Sequence, residues 1–395
     1  MAISTRMPTA LTAGQRPAAT SQLPFPRVAA ARRAAVLCYR RAAALDSPSD
    51  RRGERSSSAR PGARGVRVQR LGQDHGDRVG AAAPRGRGLR IAALKHDAHG
   101  VEVDRAGKDS ERLFRAGANI LLRSPGEAFA RWHGLGLGAA LELLAAEHDL
   151  ILVEGHKETP LPKVWLATAA DALAPPELTD VRAVLPWDGA RPEALERLAT
   201  GLLAEHHAAR RRLGGVLVGG SSARMGRSKH LLEYRGRTFL ERAAAAVAPH
   251  VAEVVLLGDG EVPPALAANR RLPDPPGLDG PLAGLLGALR RAPAATWVSV
   301  ACDTPLVDAD AVAWLLSCRR PGVRIVLPHD AAGRPEPLFA VWEPQARALL
   351  ERVAQAGAGP AAVAGEPGVA TPPIPEALAR QLRNVNSPEE LAALS

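Results

Sequence analysis

The sequence predicts an α/β protein of two domains, the second a doubly wound sheet, and three observations predict it. The 395 residues are 46% apolar, too many for one small domain and enough for two cores. Short apolar runs at 89–94, 214–218, 254–257 and 298–301 each end in a polar or glycine-bearing loop, the pattern of buried parallel strands whose loops meet ligands. Helical stretches separate these runs, as at 238–247, where Thr238 is placed to cap a helix.

No apolar run reaches the roughly 18 residues of a spanning helix, and the N-terminus lacks the apolar core of a secretory signal. Three cysteines, Cys38, Cys302 and Cys318, have neither disulfide-framework nor zinc-ribbon spacing, which points to a reducing compartment and a cytoplasmic location. The net charge is +10, but residues 1–90 hold 18 arginines, no lysine and five acids, leaving residues 91–395 at −3. The basic excess therefore lies outside the ordered domains, and neither a nucleic-acid nor a membrane partner is expected.

The first element of protein-like character is the strand near 89–94, leading into Lys95-His96-Asp97. A second apolar strand follows at Asp149-Leu-Ile-Leu-Val-Glu154, then Gly155-His-Lys157 and Pro162-Lys163. With Gly107-Lys-Asp-Ser110 and Ala116-Gly-Ala118, residues 86–205 resemble the adaptor GTPase (MobB type) of molybdopterin guanine dinucleotide synthesis. That resemblance implies a truncated P-loop NTPase-like α/β domain, and it implies a strand, a phosphate loop and a helix ahead of Leu89. Arg70-Leu-Gly-Gln-Asp-His-Gly-Asp77 stands there instead.

Read from the second base of each codon, Gln73 becomes Lys or Arg, Asp74 becomes Thr or Ile, and His75 becomes Thr or Met. Arg70, Leu71 and Gly72 then permit Gly, Ser and Gly, so Gly-Ser-Gly-Lys-Thr-Thr is an allowed reading, a core that cradles phosphates with backbone N–H groups and a lysine. Residues 1–85 are thus expected to be an out-of-frame segment, the plainer reading being a disordered basic tail. As written, the domain lacks its phosphate loop, first strand and first helix. Glu154, in the place of a Walker-B-like acid, is then a relic. His96 and Asp97 face a nucleotide or are plain loop. The Gly134–Gly138 stretch reads as flexible, with no strand leading into it. Trp132, Trp165 and Trp187 read as packing residues.

His206-His-Ala-Ala-Arg-Arg-Arg212 reads as a basic linker (206–212) before a second domain at 213–395. There Gly214-Gly-Val-Leu217-Val218-Gly219-Gly220-Ser-Ser-Ala-Arg224-Met-Gly226-Arg-Ser-Lys229 joins an apolar strand to a glycine-rich loop with cationic side chains. Adjacent glycines let a base or phosphate approach the backbone, and Arg224 and Lys229 offset triphosphate charge. The spacing is neither a Walker loop nor a dinucleotide fingerprint. Downstream stand Leu272-Pro-Asp274, Gly280-Pro-Leu-Ala-Gly284, the strand ending Cys302-Asp303-Thr-Pro305, and Asn384-Val-Asn386-Ser-Pro-Glu-Glu-Leu391. A buried strand ending in Asp303 delivers a hard carboxylate where Mg²⁺ and phosphate would meet. Each residue also has an ordinary reading: Lys229 as a surface lysine, Asp303 as a turn residue, Asp274 as a loop acid.

These motifs resemble the nucleotidyltransferases, and most closely the molybdenum cofactor guanylyltransferases (MobA type), across 213–395. The resemblance implies a Rossmann-like sheet, with Leu217, Val218 and Gly219 against guanine and ribose and Lys229 on the phosphates. It also implies Asp274 and Gly280 near the nucleotide and Mg²⁺ on Asp303. Arg224, Lys229 and Asp303 are the catalytic candidates; Gly220 gives the backbone approach. The implied substrates are GTP and Mo-molybdopterin, the implied partners molybdenum insertion proteins and apo-molybdoenzymes. Arg334-Pro-Glu-Pro-Leu338 falls where the family meets its pterin. An asparagine common in the family after the second strand is missing, since Val254-Val-Leu-Leu257 runs into Gly258-Asp259. A CTP-using cytidylyltransferase therefore remains an alternative, as does a non-catalytic cofactor carrier.

Overall fold

The computed structural model describes residues 35–41, 88–96, 107–156, 158–167, 173–186, 191–218 and 228–394. In the first domain the chain forms β1 (Ala35–Arg41), β2 (Ile91–Lys95), α1 (Asp109–Arg115), β3 (Ile120–Arg123), β4 (Ala128–Arg131) and α2 (Leu137–Ala145). It continues as β5 (Leu150–Glu154), β6 (Lys163–Leu166), β7 (Val181–Leu185) and α3 (Arg191–Ala209). Five strands make one parallel sheet in the order β2-β5-β1-β6-β7, while β3 and β4 pair apart as an antiparallel hairpin. In β5 the side chains alternate between two cores: Ile151 and Val153 pack with Leu141 and Ala145 of α2, Leu150 and Leu152 with Leu195, Ala199 and Leu203 of α3. A strand covered on both faces must be apolar throughout, which is why this run lacks a polar alternation.

β1 corrects one expectation. Residues 1–85 offer no element by sequence pattern, yet Ala35–Arg41 forms the strand between β5 and β6, pairing Ala35 with Leu150 and Tyr39 with Glu154. Its run Ala-Val-Leu-Cys-Tyr suits a strand bonded on both sides. The domain therefore has a central strand, although Ala42-Ala-Ala-Leu-Asp46 after it contains no glycine or lysine. The rest of that segment lies outside the described residues, as do Asp97 and Trp187.

The second domain forms β8 (Arg212–Leu217), β9 (Glu233–Tyr234), β10 (Arg237–Thr238), α4 (Phe239–Val247), β11 (Val254–Leu257), β12 (Arg270–Leu272), α5 (Gly280–Arg291) and β13 (Thr296–Ala301). Then come α6 (Ala309–Ser317), β14 (Ile325–Val326), β15 (Ala340–Trp342), α7 (Ala346–Gln355), β16 (Val369–Ala370), α8 (Glu376–Ala379) and α9 (Pro388–Ala392). Seven strands line up as β12-β11-β8-β13-β15-β14-β16. The first four are mutually parallel and β15 is antiparallel to both neighbours. Helices α5 and α7 cover one face around Trp297 and Trp342, and α4 and α6 cover the other around Val216, Val298 and Val300. The sheet is doubly wound, as predicted. Thr238 caps α4 with a full capping box to Glu241, the reciprocal arrangement that satisfies two otherwise orphaned N–H groups.

Two further expectations change. Residues 206–212 are not a linker: α3 runs through Ala209, and Arg212 already belongs to β8. The cause is Glu343, a buried carboxylate at the end of β15 that takes Arg210 at 2.9 Å, Arg319 at 2.8 Å and His207 at 3.3 Å, plus the Thr296 hydroxyl at 2.7 Å. A charge taken out of water requires such partners, so the basic residues are drawn inward. The glycine stretch 134–138 is likewise not simply loop, because Gly136 is the N-cap of α2. Trp165 is buried, and Trp132 is 43% exposed beside the hairpin, positions of core and rim respectively.

Candidate active site

The parallel strands β8, β11, β12 and β13 end together, and open α/β sheets meet their ligands at that edge. Leu217 at the end of β8 is paired with Leu257 on one side and Ala301 on the other. Val218 donates its N–H to Leu257 O at 2.7 Å, and Gly258 donates to Leu272 O at 2.8 Å. Gly258 has φ +105°, and a Cβ there would stand 2.3 Å from Val218 O, so only glycine lets the two loops close together. Leu257 is fully buried. The position that precedes this loop thus packs the core and offers no polar contact.

Asp274 sits beside this closure. Its carboxylate oxygens lie 3.9 and 3.7 Å from where side chains would start at Gly258 and Gly284, so small residues on two elements leave room for it. Burial raises the Asp274 carboxyl above its ordinary value, and the charges of Asp259 and Asp279 add to the rise. Gly280, at φ +66°, opens α5 with Pro281 in its first turn.

Asp303 follows β13 by two residues. Burial raises its carboxyl, and the charge of Lys229 pulls it partly back. The neighbouring Cys302 thiol is pushed up to about 12 by burial and by Asp303, which makes it an inert packing residue. Lys229 begins a short turn over Lys229–Leu231, and its Nζ donates to Asn386 Oδ1 at 2.6 Å. The same C-terminal segment reaches Asp303, since Val385 N donates to Asp303 O at 2.8 Å. Asn386 N in turn donates to Glu390 Oε2 at 2.5 Å, and Ser387 caps α9 through Glu390 N. Two residues chosen from separate motifs are therefore joined by a third.

Glu336 is the carboxylate the sequence reading leaves unnamed within the 334–338 loop. It is partly buried, and burial first, then the charges of Asp330 and Asp303, raise its carboxyl. Arg334 is turned outward onto Asp330 at 2.6 Å. In the first domain Lys163, quoted above in a motif, is a buried staple whose Nζ donates to Leu161 O at 2.9 Å and Thr179 O at 3.0 Å. Leu217, Val218, Lys229, Asp274, Gly280 and Asp303 all belong to one edge; Gly219, Gly220 and Arg224 lie outside the described residues. Among the described residues no three metal-capable side chains cluster, and no helix is long and apolar enough to cross a membrane.

A doubly wound sheet with a glycine-bearing first loop, a lysine and a strand-end aspartate defines the second domain as a nucleotidyltransferase. The family model for MobA-like NTP transferase domains matches residues 214–368, and that for molybdopterin guanine dinucleotide synthesis protein B matches 82–186. A molybdenum cofactor guanylyltransferase of Rhizobium meliloti (strain 1021) is 38% identical over 134 residues, 32% of this chain and 61% of that protein. A probable molybdenum cofactor guanylyltransferase of Chloroflexus aggregans is 32% identical over 191 residues, 45% of this chain and 90% of that one. A molybdopterin-guanine dinucleotide biosynthesis adapter protein of Haemophilus influenzae is 35% identical over 80 residues, 19% of this chain and 45% of that one. The chain belongs to the molybdenum cofactor guanylyltransferase family, carrying a MobB-like domain ahead of its MobA-like transferase domain.

Proposed function

We propose that this chain transfers GMP from GTP to the phosphate of Mo-molybdopterin, giving the guanine dinucleotide cofactor and pyrophosphate. The observation that supports it is the C-terminal segment that bonds both Lys229 and Asp303 at the ligand edge of the sheet. In this reading Leu217, Val218, Gly219 and Gly220 take the base and ribose against their backbone, with Asp274 and Gly280 on the nucleotide's other side. Lys229 and Arg224 hold the triphosphate and stabilise charge on the departing pyrophosphate. The attacking pterin phosphate is already anionic and needs no general base; the bond from the α-phosphorus to the bridging oxygen breaks as the new one forms.

Asp303 fits Mg²⁺. It is a hard oxygen donor whose raised carboxyl is only partly compensated by Lys229. An ion held by one protein carboxylate, phosphate oxygens and water is the common arrangement for this metal. Bound there, Mg²⁺ would supply charge neutralisation at the α-phosphate. The three scattered cysteines favour a cytoplasmic setting, with molybdenum insertion proteins and apo-molybdoenzymes as partners.

The test is pyrophosphate release by the purified chain with Mo-molybdopterin, comparing GTP with CTP and with Asp303→Ala. GTP-selective release lost in the variant is expected. Preference for CTP, which Gly258-Asp259 in place of the family's asparagine after the second strand would allow, moves the product to the cytosine dinucleotide. Binding without release, indifferent to Asp303→Ala, makes the chain a carrier.

A further inference from the structure

The two sheets of this chain meet at their N-terminal edges. On the first domain's side, Gly88 and Leu89 lead into β2 and Glu147-His148-Asp149 lead into β5. On the second domain's side, Arg210 and Arg211 lead into β8, Arg324 into β14, and Glu343-Pro-Gln345 leave antiparallel β15 beside the start of β13. Helix α3 returns antiparallel to its sheet, so its C-terminal end reaches the same edge and passes into β8 after two residues.

Among the described residues, polar contacts join the domains at this edge. Gln345 Nε2 donates to His148 O at 3.3 Å. Asp149 is 5% exposed; burial raises its carboxyl while the charges of Arg210, Arg324 and Arg90 oppose the rise. Glu147 pairs with Arg90 at 2.5 Å and feels Arg352 from the second domain. Arg210, adjoining the end of α3, is anchored on Glu343 at 2.9 Å, and Arg319 reaches back to His207 O at 3.4 Å. A cleft between the halves is lined by Leu89, Thr200 and Leu203 on one side and by Arg320, Val323 and Gly368 on the other.

Ligands of parallel sheets are met at the opposite, C-terminal edges. In the first domain that edge carries Lys95, His96, Glu154 and His156; in the second it carries Leu217, Asp274 and Asp303. We infer that the two domains are held back to back, with their ligand edges facing opposite ways, so that a molecule bound at the first domain's edge is out of reach of its own chain's transferase site. Laid end to end, the five-residue β5 and six-residue β13 would span about 35 Å at 3.3 Å per residue. No side chain bridges such a span, and a ligand released at one edge must leave the chain to reach the other.

The test uses the full chain with Cys38 and Cys318 replaced by serine and spin labels on introduced cysteines. Glu158→Cys with Arg383→Cys reports the distance between the ligand edges; Thr200→Cys with Arg320→Cys reports the seam. The inference expects the first pair at or beyond about 35 Å and the second pair much closer, each with a single narrow distribution. A first distance well below this, or a seam pair that is long or broadly spread, overturns it. The measurement needs no turnover, so its outcome is independent of whether the proposed reaction is correct.

Discussion

Lys229 Nζ lies 2.6 Å from Asn386 Oδ1, although 157 residues separate them in the chain. The bond fixes a flexible cation at the ligand edge and ties the last helix to the phosphate side of the site. A hydrogen bond to a charged group contributes about 1.5–3 kcal/mol, so Asn386→Ala should lower kcat/KM for GTP by roughly 10- to 100-fold while lowering the melting temperature by only a few degrees. Steady-state pyrophosphate release read beside a thermal melt checks it; unaltered kcat/KM would reduce Asn386 to a packing residue.

Asp303 couples stability to turnover in opposite directions. Its folded carboxyl sits above the ordinary value of 3.8, chiefly through burial, so the fold binds this proton more tightly than the unfolded chain does. The charged form therefore costs stability, a cost absent below the unfolded value and complete once pH has risen through the folded one. Asp303→Asn should raise the melting temperature at pH 7 by a few degrees and abolish pyrophosphate release. In the parent protein, release should fall on acidification as protons compete with Mg²⁺ for the Asp303 carboxylate. A variant both less stable and inactive would make Asp303 a structural residue instead.

Part of this edge was legible because its residues lie at the ends of apolar strands: Asp303 and the Thr238 cap are read from pattern, while Leu217 is named only through the resemblance. Asn386 stood within a quoted motif, yet its tie to Lys229 depends on where a distant C-terminal loop returns, which no local spacing reveals. Glu343 was invisible for a similar reason: it looks like an ordinary acid after an apolar strand until Arg210, Arg319 and His207 converge on it. The stretch 206–212 read as a solvated linker because composition records charge but not the buried partner that recruits it. β1 was missed because arginine-rich surroundings masked a seven-residue strand.

His206 should make the fold acid-sensitive. Burial first, then the charges of Arg210 and His207, push its imidazole down from 6.5 to about 4. The unfolded chain takes up the proton below 6.5 while the folded one refuses it, so the contribution is full above pH 6.5 and is lost progressively down to about 4. At pH 5 the loss should reach about 1–2 kcal/mol. His206→Gln should flatten this part of the profile in urea melts between pH 7 and 5; parallel profiles for the two proteins would exclude the role. Glu343, held well below the usual carboxylate range because its hydrogen bond from His207 and the charges of Arg210 and Arg319 outweigh burial, contributes in a separate, more acidic window.

The reading frame ahead of the first domain offers the last test. β1 lies parallel to β5 with Tyr39 opposite Glu154, so a strand occupies the sheet's centre, but the residues that follow it carry neither the glycines nor the lysine a phosphate loop needs. Codons 70–75 read from the second base allow Gly-Ser-Gly-Lys-Thr-Thr, whose backbone N–H groups and lysine would bind a triphosphate beside Glu154. A chain rebuilt in that frame through the codons just before Gly88, where the present frame resumes, should take up two GTP per chain by isothermal titration, against one for the present sequence. The second site should be lost when the restored lysine is changed to alanine and should survive Asp303→Ala. If the rebuilt chain folds and still binds a single GTP, the segment is a natural basic extension rather than a displaced frame.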